Sequence, residues 1–332
     1  MNQIPLYPLR FEPIYQYRLW GGRHLTHWLS EPLPAGQLIG EAWLLSDRTD
    51  HQSLVADGPL KGVGIGELMK HSSDQLLGKL AGRFTYFPLL LKFLDVHEML
   101  SVQVHPSDAY KELLPPGESG KTEGWVVLES SPQSRIYAGL KSGTTAENLK
   151  LALQEGKLED YLEGFTPKPG DGVLITAGTV HALGGDVVVF EVQQNSDVTF
   201  RLYDWNHIDP KTGKLRDLQV DQALACIDFQ KGAVKPVASL INDHTQVTRE
   251  LAIQCEYFEV WRIQTTDPFK IGQPDMPHVV VCLEGKAQLE YIDFRSSIQK
   301  GDVILLPAIV GTCTCRPEGT FSLLEILIPE RE

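Results

Sequence analysis

Two distant stretches of this chain carry the same local pattern. Gly170-Asp171, followed by Val173-Leu174-Ile175 and Ala177, lines up with Gly301-Asp302, followed by Ile304-Leu305-Leu306 and Ala308. A Gly-Asp pair reads as a turn, and a short apolar run behind it reads as a buried strand. The echo predicts two related β modules, although two unrelated hairpins would give the same pattern. In this alignment His181 falls opposite Thr312. The run His278-Val279-Val280-Val281-Cys282-Leu283-Glu284-Gly285 stands where the first copy has a Gln-x-His strand. A second module would therefore keep the sheet and lose whatever the first module's polar residues do.

The rest of the chain is mostly short strand-like pieces. Residues 1–60 are extended segments with frequent Pro and Gly, and Phe87–Val96 and Val187–Val192 read as buried strands. Lys92 interrupts the first of these apolar runs. It either snorkels outward or reaches into a cavity toward an anion. Helices are predicted over 66–81, over 145–163 and near 221–229, with 230–250 a polar connector. The 145–163 insertion has Thr144 and Glu147 in capping-box spacing and Gly156 at its C-terminal end. Gly62-Val63-Gly64-Ile65-Gly66 lacks the preceding strand and long following helix of a dinucleotide loop and is not read as one. His24 and His27 read as surface residues, and Cys313 and Cys315 as ordinary strand residues.

Composition excludes several classes. With 332 residues, 42% of them hydrophobic, the chain can bury one large core or two moderate ones. A net charge of −13 without a basic tail or stripe argues against nucleic acid or an anionic membrane as partner. A small anionic substrate stays open, because a few converging Lys and Arg reverse the potential locally. No apolar run reaches a membrane span, the N-terminus does not read as a secretory signal, and five cysteines do not read as a disulfide framework. These features point to a cytoplasmic protein.

The polar residues with most chemistry lie around Ser101-Val102-Gln103-Val104-His105-Pro106-Ser107-Asp108. In a strand Gln103 and His105 share one face, and Val102 and Val104 the other. This is either half of a metal site or a half-buried strand with a polar outer side. Glu123, in Lys121-Thr122-Glu123-Gly124-Trp125, would share a face with Trp125, where a carboxylate is costly unless paired or bound to a cation. His181 follows a Gly-containing turn. Gln103, His105, Glu123 and His181 suit zinc or a similar divalent ion with open positions, since structural zinc sites are normally Cys-rich.

Taken together, Ser101–Pro106, Lys121–Glu123, Gly178-Thr179-Val180-His181-Ala182-Leu183 and Ser196-Asp197-Val198-Thr199-Phe200-Arg201 resemble the type I phosphomannose isomerases. Phe87–Lys92, Trp20-Gly21-Gly22 and Gly40-Glu41-Ala42-Trp43 fit the same pattern, which spans nearly the whole chain and is closest to the shorter bacterial form. The resemblance implies a mainly β bicupin with a small helical insertion. Residues 1–230 would form the metal-binding catalytic domain, and 231–332 a cupin-like domain without metal ligands. It further implies one zinc ion per chain, held by Gln103, His105, Glu123 and His181. Lys121, Asp197 and Arg201 would be catalytic, and Lys92 and Ser101 would contact the substrate. The expected partner is a small sugar phosphate. A monomer is expected, with a dimer open. Ser107, His207 and Gln219 depart from the family pattern, where Asp, Arg and His are common.

The implied reaction interconverts mannose 6-phosphate and fructose 6-phosphate through a cis-enediol. A divalent cation and a fixed guanidinium, with Arg201 the first choice, would stabilise the negative charge that develops on the sugar oxygens. The residues do not single out the base: a water on the cation, Asp197, Lys121 or a histidine all have the chemistry. Asp197 and Arg201 could equally be a salt bridge at a barrel rim. The alternatives are an isomerase of the same fold acting on another sugar, and a non-catalytic cupin that binds sugar phosphate.

Overall fold

The computed structural model describes residues 6–330 apart from 239, 243–245 and 293. The chain is mainly β, and apart from a short two-stranded ladder, Asp47–Arg48 with His51–Gln52, its described strands form two pairs of antiparallel sheets. In the first pair, a six-stranded sheet runs in the order Gly172–Ile175, Glu123–Glu129, Val187–Gln194, Leu89–Val96, Ile14–Gly22, Ile39–Leu45. It faces a five-stranded sheet ordered Leu162–Phe165, Arg135–Leu140, His181–Gly184, Val102–Val104, Phe200–Tyr203. Trp20, Leu94, Trp125 and Val189 of the first sheet meet Ile136, Ala138 and Leu183 of the second in one buried cluster.

The second pair consists of a seven-stranded sheet centred on Phe321–Leu327 and a four-stranded sheet containing Cys313–Pro317. Leu9–Arg10, at the start of the chain, forms the outer strand of that seven-stranded sheet, with Leu9 opposite Leu305. The long apolar runs predicted as strands are strands, and every residue of Leu89–Val96 and Val187–Gln194 is buried. One explanation is a core shared by both sheet pairs: Phe93, Val126, Phe190 and Val192 pack with Ile253, Phe258, Val260 and Ile326. A strand buried on both faces has no polar side to alternate toward.

The Gly-Asp echo is structural as well as sequential. Asp171 accepts from the Lys168 N–H at 2.8 Å, and Asp302 accepts from the Gln299 N–H at 2.9 Å. Gly170 and Gly301 both take positive φ, 97° and 88°, as turns of this kind require. The helices fall close to the predicted places, at Ile65–Leu77, Ala146–Glu155 and Val220–Cys226. One cap differs: Thr145 and Asn148, rather than Thr144 and Glu147, form the reciprocal box, while the Thr144 hydroxyl donates to the Lys141 carbonyl at 2.7 Å. The predicted 145–163 insertion ends in a strand, Leu162–Phe165. No helix among the described residues is long and apolar enough to cross a membrane.

The hairpin tip after Thr248–Gln254 touches the strand that carries Glu123. A Cβ on Gly124 would stand 3.0 Å from both Ile253 Cδ1 and Phe258 Cε2, and both of those side chains are fully buried. Gly124→Val is therefore expected to overpack this contact and cost about 1–3 kcal/mol. Urea unfolding measures the loss, and a midpoint at or above wild type would count against the contact.

Candidate active site

Two rows of side chains, one on each sheet of the first pair, build the site. On the five-stranded sheet, Gln103 is paired across strands with His181 on one side and Arg201 on the other. Residues directly opposite share a face, so an amide, an imidazole and a guanidinium stand side by side. His105 lies just beyond the end of the same short strand. On the six-stranded sheet, Trp43 is paired with Lys92, Lys92 with Glu191, and Glu191 with Trp125. Glu123 starts the strand that contains Trp125.

The rows converge on a cavity of about 450 Å³ lined by Gln103, Glu123, Lys121, Ser101, Lys92 and Arg201, among others. Glu123, in its lining, belongs to a cluster with His105 and His181: ligand-capable atoms of the three lie within 4.8 Å of one another, and all three residues are buried. His105 Nε2 is 3.4 Å from Glu123 Oε2, and His181 Nε2 is 3.3 Å from Glu123 Oε1. Each imidazole is fixed through its other nitrogen: His105 Nδ1 donates to the Val198 carbonyl at 2.8 Å and His181 Nδ1 to the Thr179 carbonyl at 2.9 Å. Because a carbonyl only accepts, Nε2 of each ring is left with a lone pair facing the carboxylate.

The donor set fits a metal ion. His105 Nε2 and both Glu123 oxygens are buried without a well-directed hydrogen bond, which is costly unless a cation satisfies them. Burial, reinforced by Lys121, pushes His105 down to about 3, and burial also lowers His181, so both rings are neutral, as ligands must be. Burial alone would raise the Glu123 carboxyl, but Lys121 and His105 hold it well below the usual range. Gln103 Nε2 lies 3.2 Å from His181 Nε2, and Gln103 Oε1 accepts from Ser101 Oγ at 3.2 Å. A half-turn of the carboxamide exchanges the two, presenting oxygen to the cluster.

Lys121 Nζ stands 2.8 Å from Glu123 Oε2. Burial pulls its pKa down, yet Glu123, Glu191 and Asp197 outweigh burial and raise it, so Lys121 stays charged. Gln194 holds the backbone between these two residues from both sides. Its Oε1 accepts from the Thr122 N–H at 2.9 Å, and its own N–H donates to the Thr122 carbonyl at 3.1 Å.

Lys92 points inward, 3.7 Å from Glu41 Oε2 and 3.3 Å from Glu191 Oε1, at 2% exposure. Its anion is thus supplied by the protein. Asp197 is exposed at the rim and makes no salt bridge with Arg201 among the described residues. His24 pairs with Asp95 at 3.1 Å, away from the cluster.

Five charged residues of the cavity were not singled out by the sequence: Arg18, Glu41, Glu191, Asp209 and Arg216. Glu191 had a signal, because it is the one carboxylate in an apolar run just as Lys92 is the one cation in another. Glu41 lies in the Gly40–Trp43 piece of the family pattern. Arg216 lies in an irregular segment and had no signal.

The catalytic-domain profile of type I phosphomannose isomerases matches residues 9–120. Mannose-6-phosphate isomerase ManA of Bacillus subtilis (strain 168) is 34% identical over 92% of this chain and 94% of its own. A mannose-6-phosphate isomerase of Streptococcus mutans is 31% identical over 90% of this chain and 92% of its own. The crystal structure of the mannose 6-phosphate isomerase from Bacillus subtilis superposes with a TM-score of 0.88 at 30% identity, covering 97% of this chain and 99% of that one. With this degree of likeness along nearly its whole length, the chain belongs to the type I phosphomannose isomerase family.

Proposed function

We propose that this protein interconverts mannose 6-phosphate and fructose 6-phosphate, moving a proton between C1 and C2 through a cis-enediol. The reading rests on one observation above all: His105 and His181, two neutral imidazoles, meet the buried Glu123 carboxylate with ligand atoms unsatisfied, and Glu123 lines a cavity shared with Lys121 and Arg201. His105, Glu123, His181 and the Gln103 carboxamide would hold one zinc ion, which would supply fixed positive charge beside the sugar oxygens. Lys121 is charged, and so acts as a hydrogen-bond and proton donor to the developing oxyanion rather than as the base. Arg201 adds a guanidinium beside Gln103. Both histidines have each ring nitrogen committed, which removes them as bases. Asp197 lines the same cavity, and we assign it a catalytic role there. Ser101 orients Gln103 and faces the sugar with Lys92.

In this proposal residues 1–230 form the catalytic cupin and 231–332 a supporting one, whose hairpin tip braces the Glu123 strand. Purified protein is expected to contain about one zinc per chain, to lose turnover of mannose 6-phosphate on treatment with chelator, and to regain it on adding zinc. Full activity in metal-stripped protein would overturn the reading. Sugar-phosphate binding without turnover would favour a non-catalytic cupin. Comparable turnover of unphosphorylated sugars would favour an isomerase for another substrate.

A further inference from the structure

Two of the ligand candidates come from backbone segments that run side by side. His105 heads one, His105-Pro106-Ser107-Asp108, and Glu123 ends the other, Gly120-Lys121-Thr122-Glu123. The segments touch directly: the Lys121 N–H donates to the Pro106 carbonyl at 3.0 Å, and the Gly120 N–H to Asp108 Oδ1 at 2.7 Å. A Cβ on Gly120 would stand 2.5 Å from the Asp108 nitrogen, so only glycine lets the backbones come this close. Asp108 thereby sets the spacing between an imidazole of the cluster and its carboxylate.

The second oxygen of the same carboxylate reaches further. Asp108 Oδ2 accepts from Gln194 Nε2 at 3.0 Å and from the Tyr257 hydroxyl at 3.1 Å. A carboxylate accepts and does not donate, so Gln194 must turn its NH2 toward Asp108 and its oxygen toward the Thr122 N–H, 2.9 Å away. The Gln194 backbone N–H holds the Thr122 carbonyl at 3.1 Å, which pins the peptide units on both sides of Thr122, between Lys121 and Glu123. Tyr257 lies in the tip between Thr248–Gln254 and Glu259–Thr265, in the second pair of sheets. Asp108 is exposed, so its charge costs little to maintain. Lys121 and Glu123 line the cavity, whereas Asp108, Thr122, Gln194 and Tyr257 stand behind that lining.

We propose that Asp108 and Gln194 are positioning residues for the metal-ligand cluster, and that Tyr257 ties them to the second pair of sheets. The proposal rests on the isomerase reading for what the cluster serves. The charge of Asp108 orients the Gln194 amide, and that amide places Lys121 and Glu123 against His105. Lys121 and the ligand set must address the same sugar oxygens, and a misplacement of about 1 Å between them costs on the order of a hundredfold in rate. Groups that orient ligands in this way are worth about ten- to a hundredfold in metal affinity or activity.

Exchanging the two functional groups tests this relay, with the full chain and zinc alone as the probe. Asp108→Asn keeps an acceptor for the Gly120 N–H but turns an NH2 toward the NH2 of Gln194. Gln194→Glu keeps an acceptor for the Thr122 N–H but sets a carboxylate against Asp108. Each single variant is expected to weaken zinc binding, measured by competition with a chromophoric chelator, by about ten- to a hundredfold. Each should lower kcat for mannose 6-phosphate by a similar factor and move KM by less than about threefold. The double variant again sets a donor against every acceptor, and should return zinc affinity and kcat to within about threefold of wild type. The visible spectrum of the cobalt-substituted protein should change in each single variant and recover in the double. Single variants with wild-type zinc affinity, or a double variant that shows both losses added together, would overturn the relay. So would a lower unfolding midpoint of the metal-free chain with zinc affinity unchanged, which would make the two residues merely structural. If neither single variant folds, Tyr257→Phe decides the question: it should weaken zinc binding by about two- to tenfold, and wild-type affinity would overturn the proposal. A wild type that binds zinc but does not isomerise would sink the isomerase, and the cycle in zinc affinity would still decide the relay.

Discussion

Glu123→Gln is expected to lower kcat by on the order of a thousandfold or more, and bound metal to well under one ion per chain. The substitution keeps the volume of the side chain and removes its charge. In wild type the two Glu123 oxygens stand 3.3 and 3.4 Å from His181 Nε2 and His105 Nε2, and no other carboxylate belongs to that group among the described residues. An uncharged amide leaves two neutral imidazoles to hold a divalent ion beside the positive Lys121, which is a poor site. Stability without metal should change far less than activity, because a carboxylate buried at 1% exposure is itself costly to desolvate. Metal analysis, a coupled isomerase assay and thermal unfolding on the same preparations separate these effects. A Glu123→Gln protein with a full complement of metal and wild-type turnover would remove the cluster from the mechanism.

How much of this site the sequence discloses depends on whether a residue's role is set locally. Gln103 and His105 are legible because strand alternation puts them on one face whatever lies around them. That His181 and Arg201 flank Gln103 is a matter of cross-strand register between segments far apart in the chain, and no local pattern encodes it. Resemblance to a family supplied those partners; periodicity did not. The turns at Asp171 and Asp302 were legible for the opposite reason, since a Gly-Asp pair closes its own hydrogen bonds within a few residues. The cap falls one residue later than the sequence predicts because Thr144 and Thr145 are equally able to cap, and the Thr144 hydroxyl is engaged by the Lys141 carbonyl. Arg18, within the strand Ile14–Gly22, and Arg216, in an irregular segment, stayed hidden because an arginine has the same signature in sequence whether it faces solvent or a cavity.

Lys92→Met is expected to destabilise the protein by about 3–5 kcal/mol at neutral pH. In wild type the ammonium lies between two buried carboxylates and 5.0 Å from the centre of the Trp43 ring. Trp43 Nε1 donates to Glu41 Oε2 at 2.6 Å and Trp125 Nε1 to Glu191 Oε2 at 2.9 Å, so the row across the sheet is one connected network. Methionine fills the same space but leaves Glu41 with Arg18 alone and Glu191 without its nearest cation. Burial would raise the Glu41 carboxyl, and Lys92 and Arg18 more than reverse that, bringing it to about 2. A depressed carboxyl contributes stability that is complete above its unfolded value near 4.5 and is lost as pH falls toward 2. Glu191 differs in sign: burial outweighs Lys92 and raises it, so it takes up a proton more readily than an ordinary glutamate. Without Lys92 both carboxyls should rise, and the folded state should favour protonation at each. The penalty of Lys92→Met should then be largest near neutral pH and shrink through the carboxyl range as acid neutralises the stranded pair. Urea midpoints of wild type and variant at neutral pH and near pH 4.5 measure the difference. A penalty independent of pH, or below about 1 kcal/mol, would mean that Lys92 is not the counter-ion of this network but a side chain the core accommodates without using its charge.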